Sequence, residues 1–468
     1  MLSRFTVGNF LSFNKPQSFS MIASPVQKHK QRLFQAEDMK LLKFSSIYGA
    51  NAAGKSNLVK AMAFARKIIT QGTAESPNTS YYKLDPKAKD LPSYFEFEIC
   101  IGGKLYSYGF EMIISEGEIT EEWLILLGMS KNQELFSRNT TTGQYSYDTN
   151  LLANSEDIAH FGIYINDLKC VTNKLFLQDI ITNKEAVYQK NEKLAILKQV
   201  YRWFEALDIS FPDSLVSGYS CFSSTSTNEI LQAIKTFATG ISHVEARKVS
   251  KEKALEDVPA PFKKTIEKAL EELNSEDNLA KDSPSSSAGM RISCNGKLYL
   301  VQMNRKEPEF NEITFEHNAL KNVSFSMDEE SDGTQRLFDM LTVLLCTKEN
   351  AVFVIDEIDR SLHPQLTVHF IKNFLELVKK KQIQLIITTH ESHLMDLSLL
   401  RQDEIWFVEK NRAGASMLIP FDRFKERFDK KIQKAYLDGR YGGVPLFDSF
   451  FFPKGFEVED EDEQEEQP

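Results

Sequence analysis

The chain has 468 residues, which at roughly 150 residues per domain amounts to about three folding units. Hydrophobic residues make up 42% and charged residues 26%, a globular balance that excludes a disordered or fibrous chain. No run approaches the roughly 20 apolar residues that cross a bilayer, and no basic-then-apolar leader opens the sequence, so a cytoplasmic protein is expected. The 56 basic residues against 66 acidic ones give a net charge of −10. Eight of the acids (Glu457, Glu459, Asp460, Glu461, Asp462, Glu463, Glu465 and Glu466) lie in the last twelve residues, and without them 56 bases face 58 acids. Such a body can still carry a local basic surface, so charge neither requires nor excludes nucleic acid. Five scattered cysteines (Cys100, Cys170, Cys221, Cys294 and Cys346) form no C-x-x-C pair and read as reduced core thiols, without a disulfide framework or zinc site.

In chain order, Phe5 and Val7, then Phe19 and Met21, stand at strand spacing. Lys43 to Tyr48 is a short strand before a Gly-bearing turn. Leu58, Met62, Ala65 and Ile69 fall at intervals of four, three and four and predict one buried helix face. Phe95, Phe97 and Ile99 alternate up to Gly102-Gly103, a two-residue hairpin turn. Leu105 to Ile114 returns from it and Glu118 to Leu127 adds a third strand, which predicts an antiparallel meander. From about 150 to 285 the pattern is mostly helical, with Leu194, Leu197, Tyr201 and Phe204 as one stripe and Phe262, Ile266, Ala269, Leu270 and Leu273 as another. Ser283 to Ser287 closes it as a flexible linker. Strands resume at Met290, with Asn295-Gly296 as a hairpin turn, and helix and strand alternate from about 335.

Gly49-Ala50-Asn51-Ala52-Ala53-Gly54-Lys55-Ser56 matches G-x-x-x-x-G-K-[ST] between the predicted strand and helix, the context that makes it a P-loop. Its backbone N–H groups curl around phosphate oxygens, Lys55 reaches the β and γ phosphates, and Ser56 offers a hydroxyl to Mg²⁺. The candidate nucleotide-binding residues are Gly49, Asn51, Ala53, Gly54, Lys55, Ser56 and Asn57, with ATP and Mg²⁺ as cofactors. Ala351 to Glu357 is an unbroken apolar strand ending in two carboxylates. Asp356 would hold Mg²⁺ and Glu357 would polarise the attacking water. Alone, an Asp-Glu pair is often a solvated strand end; with a P-loop it completes a site.

Glu330-Ser331-Asp332-Gly333-Thr334-Gln335-Arg336 resembles the L-S-G-G-Q-Q-R signature of ABC-type ATPases, and it stands before the Asp356 strand as that family places it. His390, at the end of the strand Ile383 to Thr388, resembles the family's switch histidine; a metal-ligand reading with His393 lacks a nearby third ligand. The resemblance implies that two heads dimerise head to tail, with Ser331 and Gly333 of one capping the γ-phosphate bound by the other. Asp332 and Thr334 depart from the signature. No glutamine stands out as a magnesium-sensing Q-loop residue.

The stretch Ile358-Asp359-Arg360-Ser361-Leu362-His363-Pro364, the opening Phe10-Leu11-Ser12-Phe13 and the late Tyr436 to Pro445 resemble the SMC-like and overcoming-lysogenisation-like branch. The implied fold is α/β: a P-loop ATPase head with an antiparallel β lobe and a mostly helical insertion. Residues 1–150 would form the first lobe, 151–288 the insertion, 289–455 the second lobe and 456–468 an acidic disordered tail. No Toprim nuclease fits after Asp356, and Lys379-Lys380-Lys381 reads as a solvated helix end. In architecture the chain resembles the AriA family, the ATPase subunits of the PARIS antiphage system. That resemblance implies a slow ATPase without nuclease activity of its own, a homo-oligomer with composite ATP sites, a separate Toprim-type nuclease effector and a phage protein as trigger. A DNA-repair ATPase of the SMC or RecF type is the alternative, and a transporter subunit is disfavoured by the Leu-His-Pro ending. Direct nucleic-acid binding stays open. So does the role of the helical insertion, as partner contact or as packing on the core.

Overall fold

The computed structural model describes residues 1–37, 39–72, 78–152, 155–183, 194–212, 227–256, 258–259, 263–264, 266–267, 270, 289–294, 297–304, 307–317, 323–346, 348–424 and 432–437. The serine-rich linker, the Asn295-Gly296 turn, Cys221, residues 438–445 and the acidic tail lie outside them, as do Phe262, Ala269 and Leu273 of the second helical stripe.

In chain order the first elements are β1 (Leu2–Gly8), β2 (Gln17–Ser20), β3 (Phe34–Gln35), β4 (Lys40–Leu41), β5 (Phe44–Tyr48) and α1 (Lys55–Gln71). The meander follows as β6 (Ser93–Ile101), β7 (Lys104–Ile113), β8 (Glu118–Leu127), β9 (Gln133–Asn139) and β10 (Gln144–Tyr147). Next come α2 (Ser155–Leu168), α3 (Phe176–Asn183), α4 (Ala195–Ala206), β11 (Leu207–Ser210), α5 (Thr227–Lys235), β12 (Ile241–Val249) and α6 (Lys251–Ala254). The last part holds β13 (Gly289–Cys294), β14 (Lys297–Asn304), β15 (Glu307–His317), α7 (Asp332–Leu345), β16 (Val352–Ile355), α8 (Pro364–Leu377), β17 (Gln384–Thr388), β18 (Ile405–Lys410), β19 (Ser416–Pro420) and α9 (Ile432–Leu437).

The central sheet has the order β11-β16-β17-β5-β18-β19 and is parallel except at β19. Its inner strands are apolar on both faces, as a sheet covered on both sides requires. Ile47, Val352, Val354, Ile386 and Val408 point into one core with the buried face of α1 (Leu58, Val59, Met62, Ala65, Ile69) and the α4 stripe of Leu194, Leu197, Tyr201 and Phe204. Phe44, Tyr48, Phe353, Ile355, Leu385 and Ile387 point the other way, into a second core with α7 and α8. The seven-stranded lobe, ordered β10-β9-β8-β7-β6-β1-β2, is antiparallel throughout and shares the α1 core. Ile101 stands opposite Lys104, which leaves Gly102-Gly103 as the expected two-residue turn.

Two strands arise inside the stretch that read as helical. β11 adds a short parallel edge to the central sheet, with Leu207 opposite Val352 and Ser210 opposite Ile355. β12 pairs with β15 in a four-stranded antiparallel sheet, ordered β12-β15-β14-β13. Four residues are too few to show a strand period, and the bulge between Ile241 and His243 breaks the alternation of β12. Cys100 and Cys346 are buried thiols, but Cys170 is exposed, in the turn after α2, and so is not a core residue.

Glu122 and Arg138 pair at 2.9 Å inside the lobe, both nearly inaccessible. Glu122 also accepts from the Tyr108 hydroxyl (3.0 Å) and from the N–H groups of Phe176 (2.7 Å) and Leu177 (3.0 Å). Arg138 donates to the carbonyls of Leu168 (2.9 Å), Val171 (3.0 Å) and Lys174. The pair thus fastens the α2–α3 connection to β8 and β9. Breaking such a pair leaves a buried, uncompensated charge, so Arg138→Met is expected to cost about 3–5 kcal/mol in urea unfolding. A loss below about 1 kcal/mol would show that the pair is dispensable.

Candidate functional site

Parallel strands deliver their C-terminal ends to the same sheet edge, and β17 lies between β5 and β16. The register sets Ile355 opposite Ile387 and Thr388 opposite Ile47. The P-loop after β5, the carboxylates after β16 and His390 after β17 are therefore forced together, at the edge where open α/β sheets bind ligands. One cleft is lined by Asn51, Ala52, Gly54, Lys55, Ser56, Asn57, Glu357 and His390.

Gly54 caps the N-terminus of α1 with φ of 118°. A Cβ at this position would overlap the Ser416 hydroxyl and come within 2.8 Å of Ser12 Oγ. Those two serines form the wall behind the loop. Ser416 Oγ donates to Ala53 O (2.5 Å) and lies 2.7 Å from Ser12 Oγ, and Asn57 Nδ2 donates to Ser12 Oγ (2.8 Å). Gly49 and Ala53 shape the loop from beneath, Ala53 being 5% exposed. Lys55 is also 5% exposed, and its ammonium donates to the carbonyls of Gly49 (2.8 Å) and Ala50 (3.2 Å). Burial pulls its pKa down to about 8, against the opposing pull of Asp356, Glu357 and Asp359.

Asp356 is buried at the β16 terminus, and Glu357 follows it with φ of 48°. That left-handed conformation costs a non-glycine residue about 1 kcal/mol or more, so surrounding contacts must hold it. Thr388 supplies two of them: its hydroxyl donates to Asp356 Oδ1 (2.6 Å) and accepts from Glu357 N–H (2.8 Å). Ser210 O accepts from Asp356 N–H (2.9 Å). His390 N–H donates to the Asp359 carboxylate at 3.2 and 3.3 Å. Burial, and next the charge of Lys55, lower the His390 pKa from its usual 6.5, which keeps the ring neutral at pH 7. His393 belongs elsewhere, with Nδ1 2.5 Å from Glu391.

Ser331 and Gly333 do not line this cleft. Ser331 caps α7 and is exposed, accepting from Thr334 N–H (3.2 Å) and lying 2.9 Å from Thr334 Oγ1. A Cβ on Gly333 would stand 3.0 Å from Ser361 O. Glu330, just before the cap, is held by His317 Nε2 (2.7 Å), and its carbonyl by Gln335 Nε2 (2.9 Å). Among the described residues no group of three or more His, Cys, Asp or Glu could hold a metal by itself. Ser56 and Asp356, a hydroxyl at a helix N-terminus and an anchored carboxylate, suit a hard cation that takes its other oxygens from phosphate and water.

Thr388, Ser12 and Ser416 carry roles the sequence did not single out. Thr388 is the hydroxyl at the end of an apolar strand, a readable signal. Ser416 lies far from the P-loop in the chain and gives none.

Together the cleft and the sheet define an α/β head with a P-loop at the edge of a mostly parallel sheet. Residues 44–396, more than two thirds of the chain, match the family model described as "AAA domain, putative AbiEii toxin, Type IV TA system", and the chain belongs to that family. No curated protein matches it. Among solved structures it is similar to an SMC head domain from Thermotoga maritima, with 12% identity, 90% of this chain and 98% of that chain covered, and a TM-score of 0.34. It is also similar to the SmcHead bound to the C-winged helix domain of ScpA (17%, 89% and 96%, 0.38). A third is the Smc head domain with an extended coiled coil bound to the C-terminal domain of ScpA derived from Pyrococcus furiosus (15%, 94% and 98%, 0.35).

The Lys55 pKa generates a pH prediction. In the free protein the ammonium loses its charge as pH rises through about 8, whereas a bound polyphosphate keeps it protonated. ATP affinity should be flat below about pH 8 and fall by up to about tenfold per unit above it, with proton uptake on binding. Calorimetry in two buffers of different ionisation enthalpy measures this; constant affinity from about pH 7 to 9.5 would contradict it.

Proposed function

We propose that the chain binds Mg-ATP in this cleft and hydrolyses it slowly, at sites completed by a second copy. The carrying observation is a division of the parts. The phosphate loop, Glu357 and His390 share one cleft, while Ser331 and Gly333 stand outside it at a helix N-terminus, where Ser331 is an exposed residue. A γ-phosphate suits the N-terminal end of α7, where backbone N–H groups meet the Ser331 cap. In one chain Lys55 would neutralise the phosphates, Ser56 and Asp356 would hold Mg²⁺, Glu357 would take a proton from the attacking water, and His390 would donate to the γ-phosphate. Magnesium, when bound, offsets charge on the β and γ oxygens. Turnover waits for the two copies to align, which makes it slow.

The biological role proposed is that of sensor and scaffold in an antiphage defence system. The ATPase holds a separate Toprim-type nuclease and releases it in an ATP-dependent manner when a phage protein is sensed, as in the AriA and PARIS arrangement. Support comes from the resemblance of Ile358 to Pro364 and Phe10 to Phe13, and from a family whose description names a toxin and a toxin–antitoxin system. No helix among the described residues is long and apolar enough to cross a membrane, and the cytoplasm is the proposed location.

Lys55→Ala should abolish ATP binding, whereas Glu357→Gln should retain it and lose about 10²-fold or more in turnover. Two inactive chains, Lys55→Ala and Ser331→Arg, should regain ATPase activity on mixing, since one mixed interface keeps an intact site. A mixture as inactive as its components, with both variants dimeric, would refute the composite site.

A further inference from the structure

α7 begins at Ser331, the residue offered to the other copy's nucleotide. One turn and a half further on, Arg336 turns inward and is 7% exposed. Its Nη2 donates to the main-chain carbonyls of Asp356 (3.1 Å) and Glu357 (3.2 Å) in the same chain. The two residues that end β16 are therefore gripped on every side that backbone groups allow. Asp356 N–H goes to Ser210 O, Glu357 N–H goes to Thr388 Oγ1, and both carbonyls go to one guanidinium. Glu357 needs this grip because its φ of 48° places it in the left-handed region. Without a charged donor on the Asp356 and Glu357 carbonyls, the peptide that follows Glu357 is held less tightly and the direction of its carboxylate is less fixed.

We propose that Arg336 is a positioning residue: through the main-chain carbonyls of Asp356 and Glu357 it fixes the direction of the Glu357 carboxylate in its own chain. Leu337, Phe338, Met340 and Leu341 are fully packed along the same helix and hold the guanidinium against those carbonyls. That Glu357 serves turnover rests on the proposed ATPase reading; the contacts that position it lie within one chain.

The test uses dimers of two differently tagged chains, purified through both tags, in which one chain carries Lys55→Ala so that a single site turns over. Arg336→Gln is placed either in the chain that supplies Glu357 to that site or in the chain that supplies Ser331. The first placement should lower kcat at least about tenfold with ATP affinity within about twofold. The second should leave kcat within about threefold. Arg336→Lys, which keeps the charge but loses the planar fork, should fall between wild type and Arg336→Gln in the first placement and serves if the glutamine variant does not fold. Equal losses in both placements, or no loss in the first, would overturn the proposal. Ser331→Arg in the same two placements separates this proposal from the composite-site reading: inactivation from the Glu357 side instead of the opposite side removes the composite site, while the Arg336 placements still decide positioning.

Discussion

The site depends on one hydrogen-bonding pattern, the parallel ladder β16-β17-β5. Because β17 is threaded between the strand that feeds the P-loop and the strand that ends in Asp356-Glu357, three loops from distant parts of the chain emerge side by side. A slip of one residue would turn Ile386 and Ile387 to the wrong cores and move Thr388 away from the Asp356 carboxylate and the Glu357 N–H. The two hydrophobic cores therefore fix the geometry of the cleft as well as the fold. Side chains that alternate along β16 and β17 belong to the α1 core and the α7–α8 core in turn, and neither core can tolerate the slip.

Within that frame the site holds its charges in tension. Lys55 is buried, its ammonium donates to the carbonyls of Gly49 and Ala50, and burial alone would favour its neutral form. Three carboxylates, Asp356, Glu357 and Asp359, pull the other way. Glu357 adds conformational strain, held by Thr388 and Arg336, while Ser210 holds the preceding Asp356.

Much of this was legible in the sequence, for physical reasons that differ by element. The Gly-rich loop was readable from its residue types and its place between strand and helix, and the apolar strand ending in Asp-Glu took its meaning from that loop. The meander showed a clean period of two with Gly102-Gly103 at its turn. What escaped were features made by long-range contact. β11 is four residues long and exists because β16 offers it an edge. Ser12 and Ser416 meet behind Gly54 from opposite ends of the chain. Arg336 was visible within the signature segment, but only the fold shows that its guanidinium turns back on the main-chain carbonyls of Asp356 and Glu357.

The central claim is that one nucleotide is held by two copies of this chain. A structure of the Glu357→Gln protein with Mg-ATP tests it most directly. The account predicts a γ-phosphate in hydrogen-bond contact with Lys55 and His390 of one protomer and with the Ser331 hydroxyl and Gly333 N–H of its partner. A nucleotide whose γ-phosphate touches one chain alone, in a monomer or in a dimer joined through another face, would contradict it.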